Sequence, residues 1–165
     1  NLRGAVAATV APSYTGSGNT LDAGGAYSMN HNMLSWDLQF TPYTFPVCPS
    51  GLPLALYGQY VTNQASQAVE DTAYVVGLKL GSVKTKGDWQ FDYSYRVIEK
   101  DAVLASLCDS DFHGGGTDAK GHKLGFGIGL SKNTALNLTY FITERESPGT
   151  KKDVTMLQAD LNVKF

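Results

Sequence analysis

Long apolar runs are missing from this sequence. None approaches the roughly 18 consecutive apolar residues that a membrane-crossing helix needs, and the longest, such as Tyr74–Gly77, are strand-sized. That excludes a helical membrane protein. It leaves room for a membrane barrel, whose alternating strands keep average hydropathy near neutral. Charge is also scarce, with Asp, Glu, Lys and Arg at 17% of the chain, against about 25% in a typical soluble domain. A net charge of −2 offers no basic surface to nucleic acid. The two cysteines, Cys48 and Cys108, and the three histidines show no spacing of a zinc site or an activated nucleophile. No cofactor, no metal and no catalytic activity are therefore expected. The opening Asn1-Leu-Arg-Gly-Ala-Val lacks the basic start, apolar core and cleavage site of a signal peptide. It already reads as strand, which favours a segment of a longer protein.

What the chain does contain is alternation. From Thr155 to Phe165, the residues Thr155, Leu157, Ala159, Leu161, Val163 and Phe165 fall on one face, and Met156, Gln158, Asp160, Asn162 and Lys164 on the other. Side chains of a strand point to opposite faces with period two, so this is one strand with an apolar and a polar face. Seven more segments repeat the pattern. The first and weakest is Leu2–Ala11, followed by a Gly-, Ser- and Asn-rich link over Ser13–Asn32 with some extended structure around Asp22–Tyr27. Then come Met33–Tyr43, Leu54–Thr62, Thr72–Gly81, Asp88–Glu99, His122–Ser131 and a segment around Leu136–Thr143. Within Lys100–Lys120, Asp101–Leu107 suits one or two helical turns.

Length and face chemistry separate a membrane sheet from a soluble sandwich. The segments run to about 9–11 residues, the span of a tilted membrane strand, whereas soluble strands centre on about 5–6. The polar faces carry Asp, Gln, Asn, Ser and Gly with scattered Lys and Arg, not the Lys and Glu expected against bulk water. Short links (Gly81–Gly87, Ser131–Asn133) alternate with longer ones (Tyr14–Asn32, Asn63–Asp71, Lys100–Lys120, Arg145–Asp153). Short turns on one side and long loops on the other mark an outer-membrane barrel. The Phe45–Pro53 link, with three prolines, is long for a turn on the periplasmic side. Leu34, Trp36, Leu38, Phe91, Tyr93, Tyr95, Leu136, Leu138, Leu157, Leu161 and Phe165 are then expected to face lipid. Asp37, Gln39, Lys79, Gln90, Asp92, Arg96, Lys123, Asn137, Gln158, Asp160, Asn162 and Lys164 are expected to line the pore. Cys48 and Cys108, on opposite sides of the membrane, are expected not to pair, because a disulfide needs Cα atoms within about 7 Å.

Several segments also resemble a known family. Gly87-Asp-Trp-Gln-Phe-Asp-Tyr-Ser-Tyr-Arg96, Glu99-Lys-Asp-Ala-Val-Leu-Ala105, Asp109-Ser-Asp-Phe112, Gly116-Thr-Asp-Ala-Lys-Gly-His122 and Leu157-Gln-Ala-Asp-Leu-Asn-Val-Lys-Phe165 resemble the C-terminal half of a putative porin family of Gram-negative bacteria. Leu54-Ala-Leu-Tyr-Gly-Gln-Tyr-Val-Thr-Asn63 and Val76-Gly-Leu-Lys-Leu-Gly81 fit the same pattern. The resemblance covers roughly Leu34 to Phe165. It implies an all-β antiparallel transmembrane β-barrel of about sixteen strands, about eight of them here, with residues 1–165 forming one barrel segment and no separate soluble domain. It further implies an outer-membrane location and passive diffusion of small hydrophilic solutes or ions. The terminal Phe165 is similar to the assembly signal read by the barrel-assembly machinery. The implied partners are outer-membrane lipid, that machinery during biogenesis, and a homo-oligomer or larger outer-membrane complex.

The Lys100–Lys120 link concentrates Asp109, Asp111, His113 and Asp118 beside Gly114-Gly-Gly116, and is expected to form an acidic loop at the pore mouth that favours cations. Asp109-Ser-Asp-Phe-His-Gly114 starts like a calcium loop, but its fifth position is His113 and its twelfth Lys120, where a hand-type site needs Glu. A polar loop whose carboxylates cap turns is the better reading, and a metal held by His113, His122 and these aspartates the weaker one. Trp89 and Tyr43 have the rings to stack sugars, but at strand ends they read as interfacial girdle residues. The alternative function is a complete small eight-stranded barrel acting as an anchor or adhesin. Inward Gly125, Gly127 and Gly129 argue against its filled interior.

Overall fold

A computed structural model describes residues 18–47, 51–147 and 150–164. Seven strands form one antiparallel sheet in chain order: β1 (Met33–Phe45), β2 (Leu52–Asn63), β3 (Thr72–Gly81), β4 (Trp89–Ile98), β5 (Ala119–Gly129), β6 (Thr134–Ser147) and β7 (Thr150–Val163). Each strand pairs with its sequence neighbour, so every connection is a hairpin. Seven of the eight expected strands are present, and the remaining one, Leu2–Ala11, lies outside the described residues. The described sheet is open, with β1 and β7 each paired on one side only. No described helix is long and apolar enough to cross a membrane; the single turn of 3₁₀-helix, Ala105–Leu107, falls where helical turns were expected.

The register carries the period-two pattern across the sheet. Asp37 pairs with Gln59, Val75 with Arg96, and Lys79 with Asp92; Gln90 meets Gly127, and Asn137 meets Asp160. The opposite parity lines up Trp36 with Tyr60, Leu78 with Tyr93, Phe126 with Leu138 and Leu136 with Leu161. That second face is apolar on all seven strands and unusually open, with Leu38 73% and Leu161 63% exposed. A contiguous apolar surface of this extent marks a partner or a membrane.

Two links differ from expectation, each for a local reason. β1 continues through Phe45, and the proline that threatens it, Pro42, sits inside a register shift between Phe40 and Tyr43. A bulge leaves a residue out of the ladder, which is where a proline without an N–H is tolerated. The β1–β2 connection therefore shrinks to residues 46–51. Arg145–Asp153 is not a long loop at all: β6 and β7 run on to pair Ser147 with Thr150. Charges in that stretch look like a loop in sequence, yet a hairpin projecting beyond an apolar band has no need of apolar residues. One end of the sheet thus carries the connections 46–51, 82–88 and 130–133. The other carries 64–71, the long 99–118 and the link between the paired Ser147 and Thr150.

Two inward glycines have steric causes. A Cβ on Gly129 would stand 2.2 Å from the carbonyl oxygen of Thr85, because the 82–88 turn folds over the end of β5. That turn is pinned by Asp88, fully buried, which accepts the N–H groups of Lys84 and Thr85 at 3.2 and 2.9 Å. A Cβ on Gly77 would meet the Tyr57 ring at 2.4 Å. Gly129 therefore makes room for a turn, which removes it as an argument about how full the interior is.

Candidate pore wall and its covering loop

The polar face is built from the strand positions that alternate with the apolar band. Register places Asp37, Gln39, Lys79, Gln90, Asp92, Arg96, Lys123, Asn137, Gln158, Asp160 and Asn162 together on it. Lys164 follows the last residue of β7 and donates its N–H to the Asn133 carbonyl at 2.8 Å. Cross-strand polar pairs order this face. Gln59 Nε2 donates to Asp37 Oδ1 at 2.7 Å, and Tyr57 Oη donates to Asp92 Oδ2 at 3.1 Å.

Toward the loop end the same face turns apolar, and the 99–118 segment lies on it. Ala73, Ile98, Ala119 and Phe141 from the sheet pack with Ala102 and Phe112 from the loop, and Val61, Val103, Cys108 and Met156 surround them. Phe112 is 2% exposed and lies under the Arg96 guanidinium, 4.8 Å from ring centre to carbon. A second segment, 18–32, covers the loop. Asn19 Nδ2 donates to the carbonyls of Lys100 and Val103 at 2.6 and 2.8 Å, while its Oδ1 accepts from Ala105 N at 2.9 Å. Asp101, buried, accepts from the backbone N–H and hydroxyl of Thr20. Asn63, fully buried at the end of β2, ties three segments together. Its amide donates to the Asn30 and Asp101 carbonyls at 3.2 and 2.8 Å and accepts from Asn32 N at 2.8 Å.

The four residues expected at the mouth are not brought together. Asp109 Oδ2 stands 3.4 Å from Arg96 Nη1, and its other oxygen accepts the Asp111 N–H at 3.1 Å, capping a turn. Asp111 is exposed. His113 turns the other way, buried, with Nδ1 2.9 Å from the Thr143 hydroxyl. Burial holds its pKa below the usual value, and Arg145 and Lys152 push the same way. Asp118, half-buried with φ 58°, sits at the root of β5. His122 occupies the apolar face, its Nδ1 2.9 Å from Tyr93 Oη and its ring 4.9 Å from that of Tyr95. His113 and His122 thus lie on opposite sides of the sheet. Among the described residues no three His, Cys, Asp or Glu side chains stand close enough to hold a metal ion.

Cys108 is a free thiol whose Sγ points at the Leu104 carbonyl, and burial pushes its pKa up to about 11. Cys48 and Phe165 lie outside the described residues. The sequence reading missed Asn19, Asn63 and Phe112 as organisers of this region, and with them the fully buried Thr117, whose hydroxyl donates to the Lys100 carbonyl at 2.7 Å. The available signal was the appearance of apolar residues on the polar face, with Ala73, Ile98 and Ala119 in one cross-strand row and Phe141 opposite Lys123.

An apolar band around a polar, loop-covered face is the arrangement that family comparison then meets. The family described as putative porin matches residues 29–165. The chain belongs to that family. No curated protein and no solved structure matches it. Membership supports a porin-like role, a channel rather than an enzyme, and a membrane-embedded, outer-membrane location in general terms.

Proposed function

We propose that this porin-family chain forms part of the wall of a passive diffusion channel for small hydrophilic solutes or ions in the bacterial outer membrane. The observation that carries the reading is the packing of a whole backbone segment, 99–118, against the polar face of the sheet. An eight-stranded barrel is just filled by its own inward side chains, so it has no room for such a segment. A wider barrel does, and irregular backbone at membrane depth is tolerated where it lines an aqueous cavity. This favours the larger pore over the small anchor or adhesin. Closure then requires strands beyond the seven described here, because open sheet edges are not viable in lipid.

In this reading the apolar band contacts outer-membrane lipid, and the twelve polar positions from Asp37 to Lys164 line the lumen. The 99–118 loop narrows the mouth. Asp111 is an exposed carboxylate with no ion-pair partner among the described residues, whereas Asp109 is offset by Arg96 and Asp101 is buried. Phe165 would serve the barrel-assembly machinery. Planar-bilayer recording of the full-length protein tests the proposal. Stable conductance in KCl is expected, with cation preference lowered when Asp109, Asp111 and Asp118 are changed to Asn. A protein that inserts without conducting, with an intact mass near that of this segment, returns the small barrel to first place.

A further inference from the structure

The lumen wall holds one pocket whose chemistry is not that of a simple aqueous passage. Between the polar face of β2–β4 and the 103–109 stretch of the loop lies a cavity of about 270 Å³. Its floor is aliphatic, with Val61, Ala73, Val75 and Ile98 below and Val103 and Leu107 on the loop side. Leu107 is 67% exposed, so a leucine is presented to the cavity and to water rather than to the protein core. Its rim carries an opposed charge pair, Arg96 and Asp109, at 3.4 Å, with side chains 25% and 37% exposed. Asp109 also accepts the Asp111 N–H and the guanidinium rests over Phe112, yet a single long contact between the two charges leaves the remaining guanidinium donors and carboxylate lone pairs able to bind something else.

The occupant follows from charge complementarity. A simple carboxylate would approach Arg96 but be repelled by Asp109, and a simple amine would meet the reverse. A zwitterion with adjacent charges satisfies both, and an aliphatic group beside them removes the apolar floor from water. We propose that this pocket is a binding subsite for apolar α-amino acids on their way through the pore, carboxylate on Arg96, ammonium on Asp109 and side chain against Val75 and Leu107. The inference rests on the pore reading above and names the solute class for it.

The test is current block in planar bilayers containing the full-length protein, each variant normalised to its own conductance in KCl. L-Leucine is expected to reduce the current at concentrations about tenfold below those needed for glycine, 4-methylpentanoate or isoamylamine, a difference of about 1.4 kcal/mol. R96Q and D109N are each expected to weaken the leucine effect about tenfold. L107Q, at a position too exposed to disturb the core, is expected to shrink the difference between leucine and glycine. A channel that conducts KCl but is blocked equally by leucine and glycine, or whose block is unchanged in R96Q and D109N, overturns the subsite while leaving the pore intact. A protein with no KCl conductance overturns both.

Discussion

The two halves of the polar face differ in what lies over them. Near the 82–88 and 130–133 turns, away from the loop, that face presents Lys79, Asp92, Gln90, Asn137, Thr139 and Asp160. Near the loops the same strands, in the same register, present Ala73, Ile98, Ala119 and Phe141, buried beneath Ala102 and Phe112. The alternation is intact in both halves; only the chemistry of the inward position changes. Inward positions are polar where they meet water and apolar where another segment of chain replaces water. The hydrophobic effect follows the area removed from water, whichever face of the sheet it lies on.

Removing the cover should break this contrast most strongly. Phe112→Ala empties the centre of the loop's anchor, and large-to-small core changes of this kind cost about 3–5 kcal/mol. Limited proteolysis should then cut within 99–118 while the sheet stays resistant; a loop still protected would mean that the asparagine ties alone hold it. The next largest effect concerns the two faces. Leu138→Arg, on the apolar band, should cost about 2–4 kcal/mol in folding into lipid vesicles, whereas the neighbouring Asn137→Arg should cost little. Equal costs would invalidate the face assignment, because a one-residue slip exchanges every position.

Asn63→Ala should come third. It strips hydrogen bonds from Asn30, Asn32 and Asp101 at a fully buried site, for about 1–3 kcal/mol. Loss of amide protection confined to 18–32 and 99–107 would localise the effect to the cover. The smallest effect is acid. His113 and His31 both have pKa values lowered chiefly by burial, so the folded cover binds protons less readily than the unfolded chain. Its stability is complete above the ordinary histidine value of about 6.5 and declines as pH falls through it toward the lower folded values. Protection factors in 18–32 and 99–118 should therefore fall between pH 7.5 and 5.5, with those of β3–β5 unchanged.

Strands were legible because period two survives any packing environment. Trp89 through Arg96 alternate ring with polar group whether the partner is lipid or protein, and β3 falls at Thr72–Gly81 as its sequence suggests. The β6–β7 extension was not legible, since Glu144, Arg145, Lys152 and Asp153 carry no apolar face to betray a strand. Nor was the scattering of the mouth residues: Asp109, Asp111, His113 and Asp118 are close in sequence, but turns at Asp109–Phe112 and positive φ at His113 and Asp118 send them in different directions.

By itself, then, the amino-acid order determined the number of strands in the described region, which side chains share a face, and the apolar character of one of those faces. Those properties depend on the two-residue repeat of extended backbone and on local turn chemistry. Tertiary structure decided where the 18–32 and 99–118 segments lie, which carboxylates are spent on Thr20 or Arg96, and which stay exposed like Asp111. Such choices rest on contacts across more than eighty residues, as between Asn19 and Lys100, and a contact formed by closing so long a loop leaves no periodic trace in the sequence around either partner.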